Sequence, residues 1–481
     1  MMIRRKRSGE SIVAQWGCDE NPDLFGGFIK LRTSLSGPAP RAAARKPGWR
    51  ARLPFYYGWV IVGSVFAVFA FSYGVYYGFS VFYVALLEEF GWSRASTAGV
   101  FSVFVTVIGL GGLVGGALLD RFGPSRVMPF GGILLALGLV ATNRITHLWE
   151  FYLYFGVLCG FAFSLTGWVP CVTVVSRWFS AKQGKALGIA SAGIGLGTVV
   201  MVPFSQYLIS TVGWRSSYLV MAAVALLGIV PQTALLQVGR PEKLGLGPDG
   251  RDGSVKGAVS RRPPASREVR VVDPSWAGRA WSLSTAVRTR RFWMLTGALS
   301  LAVFAHQMVF VHQAAYLVDG GYDKMLAASM VGLVGFLSIF AKVTWGEMGD
   351  RIGRERTFTL GTGALVSGIL LLVLTRVAPS FWIVLLFAVV FAAGYAATPS
   401  ILSAATADVF GGRNFGSIYG AICVGQGLGS AFGAWVAGYI FDVTGSYMVA
   451  FGVAMGSAVL SAACLWLAAP RLVRRLVRRG S

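Results

Sequence analysis

Apolar residues run along this chain in long blocks separated by short polar loops, and the blocks have the length that a lipid bilayer demands. A helix needs about 20 mostly apolar residues to cross about 30 Å of hydrocarbon. Twelve such runs occur, at 57–87, 95–119, 127–145, 149–176, 185–211, 217–238, 292–318, 323–347, 357–376, 380–407, 416–440 and 446–469. They predict an all-α membrane protein with twelve transmembrane helices, called spans 1 to 12. Between spans 6 and 7 the pattern breaks. Residues 239–291, beginning GRPEKLGLGPDGRDGSVKG, are rich in Gly, Pro, Arg and Ser and read as a linker. The expected organisation is a flexible basic N-terminal extension (1–56), a six-helix bundle (57–238), a cytoplasmic linker (239–291), a second six-helix bundle (292–469) and a basic cytoplasmic tail (470–481).

Composition agrees with that picture. The 481 residues are 55% hydrophobic and 13% charged, with a mean hydropathy of +0.63, well above the range of soluble globular chains. A net charge of +23 would suggest nucleic acid in a soluble protein, but the distribution of the charges does not. With both termini placed in the cytoplasm, 37 of the 43 Lys and Arg residues fall in inner segments; only Arg94, Arg144, Arg215, Lys324 and Arg376 fall in outer loops. The positive-inside rule therefore predicts a multi-pass protein of the cytoplasmic (inner) membrane with both termini cytoplasmic. Its surroundings are the lipid bilayer, with anionic headgroups attracting the basic side, and no nucleic-acid partner is expected. The first 50 or so residues have no apolar h-region and are not a signal peptide. Five cysteines form no CxxC pair, and those in the spans read as small core residues without a disulfide framework or metal site. No GxxxxGK[ST], HExxH, GxSxG or paired-carboxylate pattern is present, so neither ATP use, a cofactor nor an enzyme is expected.

The two halves of the chain repeat. LLDRFGPSR after span 2 answers EMGDRIGRER after span 8, placing Asp120 and Asp350 230 residues apart. ALGIASAGIGLG in span 5 answers IYGAICVGQGLG in span 11, where Gly193, Gly195 and Gly197 match Gly425, Gly427 and Gly429 at an offset of 232, which Gly213 and Gly445 keep. A near-constant shift over two motifs indicates a duplicated six-helix unit. The glycines themselves read as close-packing positions between helices.

One charge is left inside a span. Lys342 lies in span 8, and a charged residue at mid-bilayer costs about 2.5–3.5 kcal/mol unless it meets a partner or a watery cavity. Asp350 follows eight residues later, which at about 1.5 Å per residue puts the lysine backbone roughly 12 Å from the inner loop, against roughly 15 Å for the midplane. Partial snorkelling is within reach. No carboxylate sits mid-span: Glu88, Glu89, Glu150, Asp319, Asp323 and Asp442 fall at outer ends, and Asp120, Glu347, Asp350 and Asp408 at inner ends. Such a cation suits an anionic substrate. Further cavity candidates are Tyr73, Tyr76 and Tyr77 in span 1, Trp168 in span 4, Gln206 in span 5 and Gln426 in span 11, where Gln426 replaces Ile194 of the repeat. His306 and His312 in span 7 are proton-coupling candidates because imidazole titrates near neutral pH. Six residues separate them, about 240° around the helix, so at most one faces the pathway squarely.

The paired D-R-x-G loops, GGALLDRFGPSR and WGEMGDRIGRER, resemble the loop characteristic of the major facilitator superfamily. In that family this cluster is a conformational latch, which assigns the role to Asp120, Arg121, Asp350 and Arg351. Residues 56–95, 177–218 (RWFSAKQGKALGIASAGIGLG and onward) and VHQAAYLVDGGY in span 7 are similar to the monocarboxylate porter and oxalate/formate antiporter group, in its bacterial branch. That resemblance implies that Lys342 stands where the group carries a basic residue meeting the substrate carboxylate, and it favours His312 over His306. Two departures bear on proton coupling. Ser338 replaces the carboxylate that the animal monocarboxylate porters carry one turn earlier, and their span 1 lysine falls at about Tyr77.

Together these readings predict a major facilitator fold of two pseudo-symmetric six-helix bundles and a secondary transporter for a small organic anion, most simply a monocarboxylate, working by alternating access. Coupling would be to protons or to a counter-anion. Two alternatives stay open: an exporter of neutral or cationic drugs or sugars, and a non-transporting receptor or sensor.

Overall fold

The computed structural model describes residues 55–179, 182–250, 267–412 and 414–478, within one compact unit, Gly48–Ser481. Nearly all of the expected N-terminal extension, the middle of the linker and Arg413 lie outside the described residues. Long helices form where the apolar runs predict them: Gly58–Phe90, Arg94–Phe122, Pro124–Thr142, Leu148–Trp178, Gln183–Leu236, Arg290–Asp319, Lys324–Ile352, Arg354–Val377, Phe381–Phe410, Phe415–Thr444 and Met448–Ala468. Helices answer the constraint of hydrocarbon, where each backbone N–H and C=O must find its partner within the segment.

Among the described residues eleven helices are long and apolar enough to cross a membrane, and one of them, Gln183–Leu236, has 54 residues. At 1.5 Å per residue it would extend about 80 Å, far beyond one crossing. Its backbone breaks at Gly213 (φ 78°, ψ 161°), and its two arms run in opposite directions along span 1. On the first arm Gly193 lies against Phe66, Gly197 against Ala70 and Met201 against Gly74. On the second, Tyr218 stacks on Phe82 with centroids 4.0 Å apart, Gly228 lies against Phe71, and the Tyr57 hydroxyl donates to the Leu236 carbonyl at 2.8 Å. The long helix is thus the hairpin of spans 5 and 6, in keeping with twelve crossings.

The internal repeat reappears as packing. Gly193 and Gly197 of span 5 press against the backbone of span 1, and Gly425 and Gly429 of span 11 press against Thr296 and Ser300 of span 7. A side chain at these positions would hold the helices apart, which is the use of small residues in lipid. The D-R-x-G loops are matched as well. Gly123 (φ 81°, ψ 161°) and Gly353 (φ 96°, ψ 156°) each end one helix and start the next in a conformation that is essentially reserved for glycine.

Two features depart from the sequence expectation. Span 4 is not one regular helix: Tyr152–Cys159 is π-helical, and Gly167 (φ −82°, ψ −149°) interrupts the chain before Trp168 restarts it. A Cβ at Gly167 would lie 2.7 Å from the Phe163 carbonyl oxygen, so glycine permits the break. The segment read as a linker on its composition carries two tryptophans that bury apolar surface. Trp281 and Trp276 meet with ring centroids 4.5 Å apart and pack on Phe410, each on or beside a short helical turn, Pro274–Ala277 or Leu283–Ala286. Strand Arg267–Val271 pairs antiparallel with Arg474–Arg478 of the tail.

Replacing Gly213 with alanine should cost about 1–3 kcal/mol, since the penalty is conformational and no atom stands within 4 Å of the new methyl group. Gly184→Ala, equally unobstructed but helical, should leave stability unchanged or raise it by up to about 1 kcal/mol. Unfolding temperatures in detergent check both.

Candidate functional site

Polar groups gather at three depths. Call the end that carries the loops after spans 2, 4, 8 and 10 the basic end, and the other the far end.

Between them lies Lys342. Its ammonium nitrogen stands 5.7 Å from the centroid of the Tyr395 ring in span 10, a cation–π distance, and its backbone carbonyl accepts from the Ser400 hydroxyl at 3.0 Å. Among the described residues no carboxylate lies within 4.0 Å of it. His306 meets the same tyrosine, ring centroids 5.6 Å apart, and its buried Nδ1 has no hydrogen-bond partner among the described residues. The aromatic series continues through Phe310, 5.2 Å from Tyr395, to Tyr77, 5.1 Å from Phe310, and on to Tyr76 and Tyr73. It therefore runs from span 10 across span 7 into span 1, joining the two halves. Trp168, placed by the break at Gly167, stacks on Phe69 beside Tyr73. Irregular backbone at membrane depth persists where protein surrounds it or a cavity adjoins it. An ammonium ion with aromatic neighbours and no acidic partner is chemically suited to receive an anion.

Not every candidate joins this cluster. Gln206 is buried towards the far end, donating to Ser210 at 3.1 Å, beside a cavity of about 330 Å³ that Glu88, Trp214 and Lys324 also line. Gln426 has an exposed side chain. His312, favoured by resemblance over His306, is fully buried near the far end: its Nε2 lies 2.9 Å from the Ala434 carbonyl, and its Nδ1 lies 2.9 Å from the Tyr447 hydroxyl and 3.3 Å from that of Tyr83. The carbonyl accepts from Nε2–H, so Nδ1 receives the tyrosine proton. It is His306 that shares Tyr395 with Lys342.

The far end is crossed by charges. Arg94 at the start of span 2 pairs with Asp319 of span 7 at 2.6 Å, donates to the Tyr447 hydroxyl at 2.8 Å and lies 3.9 Å from the centroid of Phe441. Asp442 of span 11 accepts the first amides of span 2, Arg94 and Ala95, at 2.8 and 2.7 Å, a carboxylate at a helix N-terminus. Lys324 of span 8 pairs with Glu88 of span 1 at 2.6 Å.

At the basic end the acidic members of the expected latch are paired, but with other arginines. Asp120 pairs with Arg177 at the end of span 4, and Arg354 holds both Asp350 at 2.7 Å and Asp408 at 3.0 Å. Among the described residues Arg351 pairs with Glu347 alone, one turn back on its own helix at 3.5 Å, and Arg121 lies over its neighbour Phe122. The resemblance assigns Arg121 and Arg351 to the latch, and in this arrangement the aspartates meet Arg177 and Arg354. One residue along a helix turns the side chain by about 100°, away from the surface the aspartate faces.

Tyr395, Arg94, Arg177 and Arg354 escaped the sequence reading. Tyr395 had a signal, a lone aromatic hydroxyl among the small residues of FAAGYAATPS. The partners of Asp120 and Asp350 had none beyond their charge.

The chain matches the family model of the Major Facilitator Superfamily over residues 65–346 and 321–480. It is 30% identical to monocarboxylate transporter 13 of Bos taurus over 417 residues, covering 86% of this chain and 88% of that protein, and 26% identical to monocarboxylate transporter 2 of Homo sapiens over 419 residues, covering 85% and 84%. In fold it resembles a bacterial homologue of the human lysosomal transporter Spinster, with a TM-score of 0.64 at 14% identity, over 87% of this chain and 98% of that one. The chain belongs to the major facilitator superfamily. Within it, the similarity is to monocarboxylate transporters, and the protein is a multi-pass membrane transporter, not an enzyme.

His312→Phe keeps the ring and its burial but leaves the Ala434 carbonyl without this donor. Such a loss costs about 1–3 kcal/mol, so the variant should unfold at a lower temperature in detergent. Gln426→Ala, at an exposed position, should stay within about 0.5 kcal/mol.

Proposed function

We propose that the protein moves a small organic anion, a monocarboxylate, across the cytoplasmic membrane by alternating access, with Lys342 as the group that pairs with the carboxylate. The observation that carries this reading is the mid-span ammonium group without an acidic partner among the described residues. A charge-assisted hydrogen bond from Lys342 to the substrate offsets the cost of keeping the cation away from water, and the binding energy comes from that exchange. One cation suits one carboxylate.

Tyr395 and the span 1 tyrosines supply the wall against which the apolar body of the substrate lies. His306, with an unoccupied ring nitrogen beside the same tyrosine, is positioned to take a proton together with the anion, so coupling to protons is favoured over exchange. The basic end is the cytoplasmic one by the charge rule. The halves that rock against each other are 57–238 and 292–469, and the site lies between them near the midplane.

In proteoliposomes, uptake of a panel of labelled small carboxylates should be driven by an inward proton gradient. Lys342→Gln should lower uptake at least a hundredfold, and Lys342→Arg should retain part of it. Undiminished transport by Lys342→Gln would remove the anion assignment and leave a carrier of neutral or cationic solutes. Binding without flux would make it a receptor.

A further inference from the structure

The two ends of the molecule use their charges differently. At the basic end each ion pair among the described residues lies within one half: Asp120 with Arg177, Arg351 with Glu347, Arg354 with Asp350 and Asp408, and Arg471 with Glu355. At the far end Arg215 pairs with Glu89 within one half, but the other pairs join the halves: Arg94 to Asp319, Lys324 to Glu88, and Asp442 to the amino end of span 2.

Helix packing shows the same asymmetry. Spans 5 and 8 meet across the halves where Gly195 lies against Ile339 and Gly335 against Thr198. The internal repeat makes Gly427 and Gly109 the counterparts of Gly195 and Ile339, on spans 11 and 2, yet no atom stands within 4 Å of a Cβ built on either glycine. Spans 2 and 11 touch nearer the far end, where Gly438 lies against Ala95 and the Ser102 hydroxyl donates to the Ala431 carbonyl at 2.5 Å. The far end is sealed and the seam between spans 2 and 11 parts towards the basic end.

Arg94 is at the centre of the seal. Its side chain is only 17% exposed, and its partners Asp319, Phe441 and Tyr447 come from spans 7 and 11 and the start of span 12, all in the other half. The Tyr83 hydroxyl donates to its carbonyl at 3.2 Å and also approaches His312, which touches Tyr447. Pulling the halves apart would leave a half-buried guanidinium without its carboxylate, a costly separation, unless water or an anion enters.

We propose that Arg94 is the closing residue of a gate at the far end, and that its release from Asp319 and Tyr447 is the step that opens the Lys342 site to that side. The proposal rests on the alternating-access reading above and deepens it with a physical connection. Span 7 carries His306 beside Lys342, His312 about two turns later and Asp319 nearly four turns later in the seal, so a shift of this helix at the anion site reaches the gate directly.

The test needs no substrate. In full-length protein with its native cysteines replaced, spin labels at Arg144→Cys and Val377→Cys report the far end, and labels at Arg126→Cys and Arg356→Cys the basic end; all four positions are exposed. A pair at Arg126→Cys and Arg144→Cys, within one half, confirms that the bundle is intact. Pulsed dipolar distances in nanodiscs should show the far-end pair closed in the parent protein. In Arg94→Gln and in the milder Asp319→Asn, the ratio of far-end-open to far-end-closed molecules should rise at least tenfold and the basic-end pair should shorten with it. Exchanging the charges, Arg94→Asp with Asp319→Arg, should return both pairs towards the parent distances.

The gate is overturned if the single variants leave the far-end distance unchanged, if the far end loosens while the basic end does not move, or if the exchange gives no return. These results are independent of the anion assignment: a chain whose uptake depends on Lys342 yet shows no coupled shift loses the gate alone, and one that shifts yet transports without Lys342 keeps it.

Discussion

An ammonium group held within a membrane span sets the terms for everything around it. Lys342 carries its charge within a span, its ammonium group faces the ring of Tyr395, and a cation–π contact returns only part of what full hydration supplies. Such a residue persists where the free energy it costs is used. Under the proposed function an arriving carboxylate completes the pair, so the unfavourable term of the empty protein becomes the favourable term of the loaded one. The aromatic series from Tyr395 through Phe310 to Tyr77 gives that exchange a consequence beyond the lysine, because it links span 10, span 7 and span 1 by direct ring contacts.

The charges at the two ends complement this arrangement. Ion pairs confined to one half, as between Arg354 and its two aspartates, hold a bundle together without opposing its motion. Pairs that join the halves, as between Arg94 and Asp319, favour one arrangement of the halves over another. Partly buried pairs have greater effect than exposed ones because water screens them less, which distinguishes Arg94 from the more open Lys324–Glu88 pair.

Much of the fold was legible because the bilayer enforces a length and a polarity on each span. The helix boundaries fall within a few residues of the apolar runs, and the repeat offset of Gly193 and Gly197 against Gly425 and Gly429 became matching helix contacts. The break at Gly167 was not legible, since a glycine followed by an apolar segment reads the same whether the helix continues or restarts. The linker tryptophans were missed for another reason. Composition averages over a segment, whereas Trp276 and Trp281 find a hydrophobic partner only because span 10 ends at Phe410 beside them.

By itself the sequence determined the membrane setting, the span pattern, the duplicated architecture and the presence of one unneutralised mid-span cation. Each follows from local composition or from spacing along the chain, and hydrocarbon punishes any other reading. Tertiary structure alone decided who meets whom: that His306 rather than His312 shares Tyr395 with Lys342, that Arg177 and Arg354 rather than Arg121 and Arg351 serve the aspartates of the loops, and that Arg94 reaches Asp319 across the halves. A helix presents a new direction every 100°, so identity and spacing say what a side chain is able to bind, and the packing of distant helices says which partner stands in front of it.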